Sequence, residues 1–93
     1  MIERKTVLDQ PELNLQAGVL GVRIAFLLVE GEEEIDSKWH RTAIPVNVDP
    51  AHQMALVNAH LAIMEPPMPP VSEADIDFVV QCHTLLTQRL ALL

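Results

Sequence analysis

Four histidines, one cysteine and a run of carboxylates are the side chains of this sequence best equipped for chemistry. A zinc site brings imidazoles or thiolates to one point, commonly two residues one helical turn apart plus a third. His52 and His60 stand eight residues apart, about 80° around a helix, and so diverge. Cys82 and His83 are adjacent and point to different faces. His40 lies in a strand-like stretch, with Arg23 or residues on the Glu34 side as its expected neighbours. A nucleophilic Cys82 would need a helix N-terminus or an electropositive pocket to lower its pKa; in mid-helix it reads as a small buried hydrophobe. Glu30, Glu32, Glu33, Glu34 and Asp36 could offer oxygens to a hard cation. They lack the D-x-[DN]-x-[DN]-G spacing of a calcium loop and read as a solvated turn that discourages edge-to-edge pairing. No G-x-S-x-G elbow and no paired acid/base carboxylates occur, and three glycines leave little for a phosphate cradle. The expectation is a non-enzymatic chain with no catalytic residue, no metal, no cofactor and no small-molecule substrate. A metal-dependent enzyme would require three of the four histidines to converge.

Residues suited to contact are easier to find. Trp39-His40-Arg41-Thr42 holds the only tryptophan, and Trp and Arg are common anchors of binding hot spots. Trp39 is equally suited to fill the core of a domain poor in aromatics, and that reading is preferred. Toward the C-terminus, Ile76, Val79, Val80, His83, Leu86, Leu90 and Leu93 form one stripe near heptad spacing, with Phe78, Leu85 and Leu92 outside it. A helix apolar nearly all round needs a second partner beyond its own sheet. The expected contact residues are Phe78, Leu85, Leu86, Leu90, Leu92 and Leu93, followed by Trp39 and Arg41.

The chain that must position these residues has 93 of them, is 49% hydrophobic and carries a formal charge of −7, enough for one domain over 1–93. Its mean hydropathy of +0.22 opposes disorder. Its acidity opposes a nucleic-acid module or an anionic membrane as partner. One cysteine gives no internal disulfide. The longest apolar run, Ile24 to Val29, is too short to span a bilayer, and the first residues lead into no signal core.

Residues 1–48 read as strands and 49–93 as two helices. A first edge strand is expected, broken at Pro11, followed by a turn at Ala17-Gly18. Val19 to Val29 alternates, with Leu20, Val22, Ile24, Phe26 and Leu28 on one face. Gly31-Glu32 suits a type II′ hairpin, so paired residue numbers should sum to 63: Ile24 with Trp39, Leu28 with Ile35, Arg23 with His40. Asp49-Pro50 caps the first helix, whose Met54, Val57, Leu61 and Met64 should face the sheet, while Leu56, Ala59 and Ile63 form a second stripe to be covered. The proline-rich connector 65–70 should be a stiff polyproline-like strap. Ser72-Glu73-Ala74-Asp75 reads as a capping box opening a helix that runs to the C-terminus. The fold expected is α+β, an antiparallel β-meander of about three strands followed by two α-helices packed on one face.

The first half also resembles a family. Thr6-Val7-Leu8-Asp9-Gln10-Pro11-Glu12, then Val22-Arg23, then Glu34-Ile35 and Trp39-His40-Arg41-Thr42-Ala43-Ile44-Pro45 are similar to small proteins encoded in tailed phages and prophages, which read T-V-I-D-Q-x-E, V-x-V-R and E-I-x-x-x-[WY]-H-R-T-x-[IL]-P. The resemblance spans about residues 5 to 48 and departs at Pro11. It implies a setting in the tail-gene region and carries over no catalytic residue. The function expected is a virion or assembly protein, tail-associated, acting as a homo-oligomer or on other phage structural proteins, in the virion or the host cytoplasm. The alternative is a soluble acidic inhibitor of a host protein, such as a defence nuclease, that imitates nucleic-acid charge.

Overall fold

The computed structural model describes residues 2–93. Strands β1 (Ile2–Asn14), β2 (Val19–Glu30) and β3 (Glu33–Pro45) form an antiparallel meander in the order β1-β2-β3, followed by helices α1 (Pro50–Ile63) and α2 (Glu73–Ala91). The architecture is α+β. Leu20, Val22 and Ile24 of β2 project from one face and, with Ile44 of β3, meet Met54, Val57 and Leu61 of α1, Val71, and Val79, Cys82 and Leu86 of α2. The helix α2 lies against β1 and β2, and α1 packs on α2 and reaches β3 through a hydrogen bond from Gln53 Nε2 to Thr42 Oγ1.

Contrary to the expected break, β1 is continuous across Pro11, which pairs with Val22. An edge strand tolerates proline because one side of its ladder is unused. The irregularity falls at Asp9 instead, where the register shifts between Leu8 and Gln10. The following turn is closed by Gly18 N–H donating to the Asn14 carbonyl and Ala17 N–H to Asn14 Oδ1, both at 3.0 Å. Gly18 has φ +66°, a region that suits glycine.

The hairpin turn forms as expected: Gly31 has φ +63° and Glu30 pairs with Glu33. The register then departs from expectation. Val29 pairs with Glu34 but Leu28 with Asp36, so Ile35 is an extra residue and the sums become 64. One bulged residue turns every later side chain to the other face. Trp39 therefore stands opposite Ala25 and His40 opposite Ile24. Trp39 is 58% exposed and is not a core residue; Ile35 is exposed too, and Arg23 faces Arg41 rather than His40. The helix-covered side receives Thr42 and His40, and His40 stacks between Phe26 and His60 with centroid separations of 6.3 and 6.0 Å.

Helix α1 opens as read, with Pro50 at its start and Asp49 Oδ1 accepting from Ala51 N–H. The connector does not run on as a straight strap. Met68 N–H donates back to the Leu61 carbonyl at 3.0 Å, and Asn58 Oδ1 accepts from Val71 N–H at 2.8 Å, so the chain folds over the end of α1. Asn58→Ala should therefore lower stability by about 1–3 kcal/mol, since it strands a half-buried N–H, and should speed amide exchange at Val71; unchanged exchange would count against the clamp.

The capping box at α2 is half made. Ser72 Oγ accepts from Asp75 N–H, but Asp75 Oδ2 accepts from Leu8 N–H of β1 at 3.1 Å. The carboxylate thus ties helix to sheet edge. The helix itself stops at Ala91, short of the chain end.

Candidate interaction surface

Of the four histidines, the fold brings only His40 and His60 together among the described residues. His83 is buried, and its Nε2–H donates to the Pro45 carbonyl at 2.9 Å, joining α2 to the end of β3. His52 is exposed on α1, while His40 and His60 form the stacked pair. Among the described residues no group of three or more His, Cys, Asp or Glu side chains could hold a metal ion. Burial pushes the Cys82 thiol above its ordinary pKa, the opposite of what a nucleophile requires. The hairpin-tip carboxylates Glu30, Glu32, Glu33, Glu34 and Asp36 are all exposed.

The expected contact residues divide. Leu86 is fully enclosed in the core, and Leu90 is half-buried against it, so neither offers a free surface. The reason is helical phase: Val79, Cys82, His83 and Leu86 share the inward face. Leu93 leaves the stripe assigned to it, because the helix has ended, and is exposed with Leu92. Phe78, Leu85 and Leu92 stay outside, at 47, 60 and 76% exposure. Phe78 and Leu85, seven residues apart, stand in one row along the outer face of α2, and Leu92 caps its end. Leu56 and Ile63 of α1, expected to be covered, are exposed as well.

The second surface is the open side of the sheet, which sequence reasoning missed because the Ile35 bulge carries no pattern of its own. Val7, Ala25 and Trp39 form one row across all three strands there. Arg23 and Arg41 form another. Such like charges directly opposite repel, and Asp9, thrown out by the β1 bulge, takes the Arg23 guanidinium in an ion pair. Arg41 is exposed. Beside these side chains a hollow of about 170 Å³ opens at Gly21, walled by Gln10, Glu12, Arg23 and Arg41. A second hollow, of about 270 Å³, is lined by Phe26 and Leu28 of β2, Met64 at the end of α1, Met68 of the connector, Arg4 and Lys38.

This arrangement offers apolar and cationic contact surface. No helix among the described residues is long and apolar enough to cross a membrane. Comparison with family models, with curated proteins and with solved structures yields no match.

Proposed function

We propose that this chain is a non-enzymatic virion or assembly protein of a tailed phage, tail-associated, that works through protein contacts in multiple copies. The observation that carries the contact part is the exposed pair Phe78 and Leu85 on the outer face of α2, extended by Leu92 at its C-cap, three large apolar side chains seven residues apart. Exposed apolar rows of this kind mark association surfaces. The phage setting rests on the resemblance over residues 5–48, whose Trp39 and Arg41 stand exposed on the open sheet face. Exposed Trp and Arg are suited to anchor a partner. An inhibitor imitating nucleic acid would instead want its carboxylates in rows on one face. Here they are spread over β1 (Glu3, Asp9, Glu12), the hairpin tip (Glu30, Glu32, Glu33, Glu34, Asp36), the flanks of α1 (Asp49, Glu65) and the start of α2 (Glu73, Asp75, Asp77), where Asp75 is occupied by Leu8 N–H.

Mass spectrometry of intact phage particles and of their tail intermediates tests the reading. The chain should be present at several copies per particle or intermediate. Its absence from both would overturn the assignment.

A further inference from the structure

Helix α1 runs along β3 and meets its side chains in order. Gln53 bonds to Thr42, and two turns later the His60 ring meets His40 at a centroid separation of 6.0 Å. One turn further on, Met64 lines the larger hollow together with Phe26, the ring on which His40 also stacks. His60 and Met64 stand at i and i+4, on one side of the helix, and Met64 at the C-cap keeps a φ of −65°. Met68 joins them from the connector. Its N–H returns to the Leu61 carbonyl, and its side chain lines the same hollow. Two imidazoles and two thioethers thus gather at the end of α1.

The two rings are suited to share an ion. A metal bound to an imidazole nitrogen at about 2.0–2.1 Å stands about 3 Å from the ring centroid. The 6.0 Å separation is therefore the span of two imidazoles on opposite sides of one ion. The ring torsion of histidine is broad and His60 is exposed, so its nitrogen is able to turn toward His40. His83 commits its Nε2–H to the Pro45 carbonyl, whereas neither His40 nor His60 makes a side-chain hydrogen bond among the described residues.

The donors decide which ion. Thioether sulfur is a soft ligand that selects Cu(I), and imidazole also suits copper. Zinc takes thiolate, imidazole or carboxylate instead, and no third residue of those types joins the pair among the described residues. The charged residues lining the hollow, Arg4, Lys38, Asp36 and Glu65, cancel in sign, which leaves no surplus of carboxylate to draw a hard divalent cation. We propose that His40 and His60 bind a cuprous ion with sulfur from Met64 and Met68. Both methionines and Phe26 pack against the core, and an apolar shell of this kind limits solvent access to a bound metal.

The test is competition for Cu(I) between the full chain and bathocuproine disulfonate under anaerobic reducing conditions, with circular dichroism checking the fold of each variant. One ion per chain is expected. His60→Ala, at an exposed position, should weaken binding by more than the about 10–100-fold that outer-shell changes cost at metal sites. Met64→Leu/Met68→Leu, a swap that packed sites tolerate, should weaken Cu(I) binding by about tenfold or more and leave any affinity for Zn(II) unchanged. His52→Ala should leave Cu(I) binding as it is. Cys82 is kept in every variant, so Cu(I) affinity that survives His60→Ala lies on the thiol or elsewhere and overturns the site. Cu(I) affinity unchanged by the methionine swap overturns the thioether ligation, and a wild type that takes up no Cu(I) overturns the proposal whole.

Discussion

Leu86→Lys is expected to abolish the fold, whereas Leu85→Lys, one residue earlier, should leave circular dichroism unchanged. Leu86 is 0% exposed and Leu85 60%. An ammonium at position 86 would sit among Leu20, Ile24, Met54 and Val79, where an unpaired charge costs several kcal/mol. A small domain has about 5–15 kcal/mol in total, and one of 93 residues belongs at the lower end of that range. Leu85→Lys changes only the outer row with Phe78 and Leu92. Its cost to stability should stay within about 0.5 kcal/mol, and its effect should fall on assembly, read as loss of the chain from phage particles. Retained structure in Leu86→Lys, or unfolding in Leu85→Lys, would contradict the phase of α2.

The second large effect separates two residues of β3. Ile44→Ala should destabilise by about 2–5 kcal/mol, as large-to-small changes at enclosed sites do. Trp39→Ala, which removes many more atoms, should cost no more than about 1 kcal/mol. Ile44 is 0% exposed opposite Leu20, while Trp39 is 58% exposed opposite Ala25. Urea melts of the two variants give the comparison. The sum-63 register predicts the reverse order, because it buries Trp39 against Ile24 and turns Ile44 outward.

Much of the architecture was legible because it depends on local chemistry. Gly31 could be placed at positive φ, Asp49-Pro50 at the start of α1, and Leu20, Val22 and Ile24 on one face of β2, from residue type and period alone. What escaped depends on single irregularities. A bulge at Ile35 costs little and leaves no periodic trace, yet it moves Trp39, His40 and Arg41 to opposite faces from those expected. The edge position of β1 likewise keeps the strand continuous across Pro11, and the irregularity falls at Asp9 instead. On α2 two apolar rows coexist, and the pattern alone did not separate the row facing the core, with Leu86, from the row facing outward, with Leu85. Only the position of β1 and β2 beneath the helix decides between them. Tertiary ties such as Asp75 to Leu8, Asn58 to Val71 and His83 to Pro45 span 67, 13 and 38 residues, distances over which no motif reaches.

The proposed function requires that this chain act as one of several copies held by protein contacts. Sedimentation equilibrium of the wild-type protein across a concentration series tests it most directly. The mass should stand well above 10.4 kDa and fall on dilution. A constant 10.4 kDa at every concentration would contradict it.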